Sequence, residues 1–269
     1  MTAKTRTAAR YVLFAVVAAM AVLVVAGARL APHGQAEQLG LPFEGPTASR
    51  PFGTDVLGRD VLSRLLHGAR ATLLPALAAT AAVTVVGGGL GLWAGLRGGR
   101  GAEAAVRVVD VLAAVPPLLL MLVLAAGQPG SSTALVVAIA LATLPLGVRV
   151  VRSAARGIAA AGYLETARAR GDRPADLLRY DVLPNLAGQV LADACIRLVA
   201  CVHLTATAGF LGLGPGAPHA DWGRMVEENL PGAELSPTAF LAPTLALILF
   251  TVSVTLLADR LTTPSGKES

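Results

Sequence analysis

The chain has 269 residues, 54% of them hydrophobic, 14% charged and 4% aromatic, with a formal net charge of +5 and a mean hydropathy of +0.65. That composition excludes an ordinary soluble domain, because several runs approach the ~20 apolar residues that cross a bilayer. The sequence pI near 9.9 does not mark a nucleic-acid binder, because the arginines sort by membrane side and form no single stripe.

Lys4, Arg6 and Arg10 precede an apolar run from Tyr11 to Ala28. Ala26-Gly27-Ala28 resembles a signal-peptide cleavage site, but the run exceeds the ~7–15 apolar residues of a signal core. Residues 11–30 are therefore expected to form a first spanning helix, with residues 1–10 as a cytoplasmic tail. Residues 31–71 are expected outside. Within them, Thr54 or Asp55 can cap a helix start. Leu57, Val61 and Leu65, with Leu62 and Leu66, make one apolar face, and Asp60 and Arg64 stand at i,i+4. This predicts a short interfacial helix leading into a second span.

Residues 72–259 form the expected membrane core. Span two runs from about Thr72 to Leu96, with Gly87, Gly91 and Gly95 on one face for close approach of another helix. Arg97, Arg100 and Arg107 mark an inner loop. Span three runs from about Ala104 to Ala126, with a kink expected at Pro116-Pro117. Asp110 near its inner end is expected to pair with Arg107 or to snorkel. Span four runs from about Thr133 to Val151. Span five runs from about Leu186 to Ala208. It carries Asp193 and Arg197 at i,i+4, candidates for the translocation pathway or for a buried intramembrane pair. Cys195 and Cys201 share this run about 9 Å apart along the axis, poorly placed for a bridge. Span six runs from about Ala239 to Ala258, and residues 260–269 form a cytoplasmic tail. The outer loop at 209–238 holds Asp221, Glu227, Glu228 and Glu234 beside Arg224. The fold expected is an all-α membrane protein of six spans with both termini cytoplasmic.

Between spans four and five lies RSAARGIAAAGYLETARARGDRPADLLRYDVLPN, from Arg152 to Asn185. Its arginines place it in the cytoplasm. Ala159 to Arg170 is rich in helix formers. Gly171 suits a helix C-terminus, and Asp172 and Pro174 suit the start of the next helix. Pro184 marks the entry to span five. A helix-Gly-helix knob of this kind is either an amphipathic loop on anionic lipid or a docking element for a cytoplasmic partner. No phosphate-binding loop is visible, and the only lysines are Lys4 and Lys267. The chain is not expected to hydrolyse ATP. No nucleophile elbow, zinc motif or cysteine cluster is visible, and His33, His67, His203 and His219 show no metal-ligand spacing. No catalytic residue, metal site or cofactor is assigned.

Glu165, Ala167 and Gly171, followed at a fixed gap by Leu183 and Pro184, resemble the docking signature of ABC importer membrane subunits. Thr166 stands in the middle of its triplet, and Asp181 occupies a usually apolar position. Phe52, Gly53, Thr54, Asp55, Gly58, Arg59, Asp60, Val61, Ser63, Arg64, Gly68, Ala69 and Arg70 resemble the segment before the second span in permeases of the dipeptide, oligopeptide and nickel importer family. Phe210-Leu211-Gly212-Leu213-Gly214, with Trp222-Gly223 beyond, is similar to the same family, although Thr205 stands where that family often has an acid.

The resemblance implies a multi-pass permease subunit in the cell membrane, forming half of a pathway for peptides, or for nickel or a metal chelate. It implies two ABC ATPase subunits that carry ATP and Mg2+, a second related permease subunit and an extracytoplasmic solute-binding protein as partners. On it, Glu165 contributes to docking, Gly171 sets an elbow and Pro184 fixes the exit into span five. The alternative is a membrane anchor that binds a cytoplasmic partner without moving solute.

Overall fold

The computed structural model describes residues 18–160, 173 and 176–262. Its regular elements are all helical, and the extended pairing among the described residues is limited to two isolated bridges, Gln38 with Arg59 and Thr54 with Asp60. Helix α1 is described from Ala18 to Leu30. It is followed by α2 (Val61–Arg97), α3 (Gly99–Leu112), α4 (Pro117–Gly127), α5 (Ser132–Ala159), α6 (Leu177–Phe210), α7 (Trp222–Asn229) and α8 (Pro237–Thr262).

Four helices, α2, α5, α6 and α8, are long and apolar enough to cross a membrane. Helices α3 and α4 pass the same test only as a pair bent by 80°, so the described residues hold four or five candidate spans. The Tyr11 start of the first expected span lies outside the described residues, and α1 as described is shorter than a bilayer requires.

Three boundaries differ from the expected ones for identifiable reasons. The interfacial helix and span two are one continuous helix of 37 residues, whose cap is Asp60 and not Thr54 or Asp55. Leu57 lies before it. At ~1.5 Å per residue α2 is about 55 Å long, well beyond the ~30 Å hydrocarbon core, so it extends past the bilayer. Pro116 and Pro117 start a new helix after a break instead of kinking one: Pro116 is the N-cap of α4 and Pro117 takes its first position, where the missing N–H costs nothing. Pro184 does not separate a hinge helix from span five. The segment Leu177–Val182 is π-helical and runs directly into the helix at Leu183. The wider π turn accommodates a residue that lacks an N–H and crowds the preceding turn.

Helices α2, α5, α6 and α8 pack together around Leu73, Ile139, Val202 and Phe250, joined by Met121 of α4 and Trp222 and Met225 of α7. Their outer faces carry Val85, Val86, Leu146, Ile196 and Leu249 exposed, the arrangement of a bundle whose surroundings are as apolar as its interior.

The seam between α2 and α5 is close, and it uses the predicted glycine face. A Cβ on Gly91 would stand 2.7 Å from the Val148 carbonyl oxygen, and one on Gly95 would stand 2.6 Å from the Ala155 Cβ. Gly87 faces Leu144 and Val148. Gly89, by contrast, has nothing near its would-be Cβ. Gly91→Ala should therefore destabilise the detergent-solubilised protein by about 1–3 kcal/mol through overpacking, read as a lower melting temperature. Gly89→Ala should leave it unchanged or raise it slightly, since alanine outranks glycine by about 1 kcal/mol in a helix.

Candidate functional site

The end of the bundle opposite the hinge is built on a buried carboxylate. Asp55 is fully buried, and a charge removed from water must be paired or hydrogen-bonded. Its Oδ1 accepts from the backbone N–H groups of Leu57 at 2.8 Å and Arg59 at 3.0 Å. Its Oδ2 accepts from Arg59 Nε at 2.7 Å and from the Arg64 guanidinium. The two arginines also converge on Glu228 of α7: its Oε2 accepts from Arg59 at 2.9 Å and from Arg64 at 2.8 Å, and its Oε1 from Arg224 at 2.8 Å. The i,i+4 pair expected between Asp60 and Arg64 does not form. Asp60 caps α2 instead, accepting from the Ser63 N–H at 2.9 Å and from its hydroxyl at 2.6 Å. Arg64 lies one turn into α2, pointing at Asp55 and α7.

The rest of the external motif shapes the chain around this cluster. Gly53 and Gly58 both adopt positive φ, 70° and 72°, in the region where a side chain is strained. Each also lies against backbone, Gly53 on Glu44 and Gly58 on Gly40. Thr54 accepts from the Glu44 N–H at 2.8 Å and donates to the Leu41 carbonyl at 2.7 Å. Asn229 accepts from the Val56 N–H at 3.1 Å.

Helix α7 is fastened to α2 a second time. Asp221 caps α7, accepting from the Arg224 N–H at 3.1 Å, and also accepts from the Thr72 hydroxyl at 3.2 Å. The Trp222 indole donates to the Leu65 carbonyl at 2.9 Å, and its ring lies against Gly68. Burial raises the Asp221 carboxyl above its ordinary range despite these bonds. Burial also pushes Glu228 up, but the charges and hydrogen bonds of Arg64 and Arg59, with Arg224, outweigh it and hold that carboxyl below the ordinary glutamate range. Beside the cluster lies a largely apolar cavity of about 810 Å3, bordered by His67, Arg70, Leu74, Pro75, Val136 and His219.

Glu228, Arg224 and Asn229 are the residues that sequence reasoning missed. The outer-loop acids read as a solvated face. The available signal was the Arg59 and Arg64 pair in an outer segment whose local acids were already committed.

Of the hinge residues, Glu165, Ala167 and Gly171 lie outside the described residues. Leu183 and Pro184 are exposed at the junction of the π turn and the α-helix of α6. Beside them Leu177, Val182 and Leu186 pack on Ala155 of α5. Asp193 and Arg197 do form an ion pair. Arg197 also donates to the Thr143 carbonyl of α5 at 3.3 Å, and its guanidinium fills the space left by Gly147. Asp110 pairs neither with Arg107 nor with water alone. It meets Arg149 of α5 at 2.8 Å, because α3 lays its polar stripe along that helix. Cys195 and Cys201 are both free.

Residues 87–263 match the family described as binding-protein-dependent transport system inner membrane component. The chain belongs to this family. It is a multi-pass inner-membrane transport subunit, not an enzyme, and ATP hydrolysis lies in separate subunits. It is 34% identical to the peptide transport system permease protein SapC of Escherichia coli O6:H1 over 249 residues, 90% of this chain and 84% of that one. It is 34% identical to the di/tripeptide transport system permease protein DppC of Pseudomonas aeruginosa over 219 residues, 81% of this chain and 72% of the relative. The match to the probable D,D-dipeptide permease DdpC of E. coli K12, at 33% identity, spans 67% of this chain and 61% of that protein's length. Among solved structures, an inward-facing form of the MetNI methionine ABC transporter superposes with a TM-score of 0.58 at 21% identity, covering 73% of this chain and 93% of that one. That likeness shows the fold.

Removing one partner from a buried ion cluster strands the others, at a cost of about 3–5 kcal/mol. Asp55→Asn should therefore lower the stability of the purified permease by that amount and open residues 31–60 to proteolysis. Glu228 has a depressed folded-state pKa, so its stabilisation is present above the unfolded value and lost as pH falls through the folded one. The stability gap between the wild type and Glu228→Gln should thus be full at neutral pH and close below the ordinary glutamate range. Asp221, present in both, drops out of that difference.

Proposed function

We propose that this permease forms one half of the translocation pathway of an ATP-driven importer for short peptides. A match of 34% identity across 90% of the chain to a peptide permease carries this reading. A solute-binding protein delivers the peptide at the outer face, where the cavity beside Arg70 and His67 opens. A second, related permease supplies the other half of the path. Two ABC ATPase subunits bind ATP and Mg2+, and this chain holds neither. The subunit has six spans with both ends cytoplasmic, so that residues 1–10, the hinge and residues 260–269 share the ATPase side.

In this reading the hinge docks on an ATPase subunit. Glu165 and Ala167 contribute to the contact and Gly171 sets the angle between the two hinge helices. Leu183 and Pro184 connect that knob to α6. The packing of Leu177, Val182 and Leu186 against Ala155 supports the idea, because a push on the hinge then reaches α5 and α6 together. Closure of the ATP-bound dimer moves the knob, and alternating access follows.

The test is ATP-dependent uptake of a radiolabelled dipeptide or tripeptide by proteoliposomes holding the permease pair, the ATPases and the binding protein. Wild type should accumulate peptide only with ATP and binding protein. Gly171→Pro should abolish uptake while ATPase activity persists and the protein still inserts. Normal uptake by that variant would sink the elbow role. A wild type that retains its ATPase but moves no peptide under any condition would leave a membrane anchor instead.

A further inference from the structure

At the inner end of the bundle α3 and α5 enclose a polar seam that transport does not explain. It is a pocket of about 320 Å3 lined by Glu103, Val106, Arg107 and Asp110 of α3 and by Arg152 and Arg156 of α5. The residues alternate correctly for this: Glu103, Arg107 and Asp110 follow one another at helical spacing on α3, and Arg149, Arg152 and Arg156 do so on α5. At the seam's edge Ala102 and Val106 of α3 pack against Ala94 of α2 and Val148 of α5.

The charges in the seam do not cancel. Asp110 is already held by Arg149 at 2.8 Å. Against Arg107, Arg152 and Arg156 only Glu103 remains, and none of these three arginines has an ion-pair partner among the described residues. The Arg152 Nε is buried without a hydrogen-bond partner among the described residues, and an unmatched buried donor carries its full desolvation penalty. Planar guanidinium forks converging on a small polar pocket suit a tetrahedral phosphate oxyanion. The seam lies beside the end of α2 at Ala94 to Arg97, where the apolar run gives way to Arg97, Arg100 and Arg107, and basic pockets between spanning helices take phospholipid head groups.

We propose that the α3–α5 seam binds a phosphate group, supplied by the head group of an anionic phospholipid. The lipid then bridges α3, which has only a narrow apolar contact with the bundle, to α5, which leads into the hinge.

The test is native mass spectrometry of the full-length permease complex in detergent, titrated with phosphatidylglycerol or phosphatidylcholine. Phosphatidylglycerol should be retained in preference. Arg107→Gln and Arg152→Gln should each weaken that retention roughly fivefold. Arg100→Gln removes the same charge from α3 outside the seam and should change nothing. Glu103→Gln should tighten binding, a gain that misfolding cannot mimic. In a separate arm without lipid, a melting-temperature rise with inorganic phosphate that depends on Arg107 would support the phosphate site but assign it a soluble ligand. Equal retention of the two lipids, or equal losses in Arg100→Gln and Arg107→Gln, would overturn the proposal. So would lipid binding that emerges only in Glu165→Gln, since the hinge carboxylate would then fill the seam.

Discussion

The burial of Asp55 is the constraint on which the outer half of the molecule depends. A carboxylate at zero exposure cannot persist unless cations and donors surround it. Arg59 and Arg64 meet that need from one side, and their own excess charge then demands Glu228 from a helix more than 160 residues away in sequence. The consequence is geometric. The loop before α2, the first turn of α2 and all of α7 are held in one register. The Trp222–Leu65 bond, beside Arg64, and the Thr72–Asp221 bond, about two turns further along α2, repeat the fastening. A buried ion cluster is weak evidence for net stability, because desolvation offsets most of the attraction. What it supplies is register: this placement of α7 gives three guanidinium groups and two carboxylates their ion-pair partners together.

Inside the bilayer the organising principle changes. Water no longer drives helices together, so close approach and shape decide the packing. Gly91 and Gly95 let α2 settle on the α5 backbone, and Gly147 opens a socket in α5 for the Arg197 guanidinium. The intramembrane pair Asp193–Arg197 is thereby tied to α5 through Thr143. Arg197 thus links α6 to α5 while it pairs with Asp193 on its own helix.

What was legible in the sequence follows from the range of each interaction. Periodicity and hydropathy act over one helix, and they located α5, α6 and α8, although the inner ends of α5 and α6 run eight and nine residues beyond the expected bounds. The glycine face of α2 and the i,i+4 pair at Asp193 and Arg197 are equally local. The failures are all cases where a local rule met a distant competitor. Asp60 and Arg64 have ideal spacing, yet Asp60 was claimed by the α2 N-terminus and Arg64 by Asp55 and Glu228. Asp110 has Arg107 three residues before it on its own helix, but Arg149 comes across from α5. Pro184 reads as a stop, and only the π turn before it explains why the helix continues. Within the external motif, Gly53 and Gly58 were visible as residues but not as positive-φ turns seated on the Glu44 and Gly40 backbones.

The two ends of the bundle differ in what it costs to rearrange them. At the outer end, separating α7 from α2 would strand charges in a dry interior. At the inner end, α6 meets α5 through a small apolar cluster, Leu177, Val182 and Leu186 on Ala155, beside a π turn. Apolar contacts are non-directional, so they can slide and reform without leaving an unmatched partner. The π turn adds a segment whose hydrogen bonds are already departures from the α-helical optimum. A shift of α6 against α5 at the inner end would therefore cost less than a separation of α7 from α2 at the outer end. That asymmetry is what the proposed drive through the hinge would use.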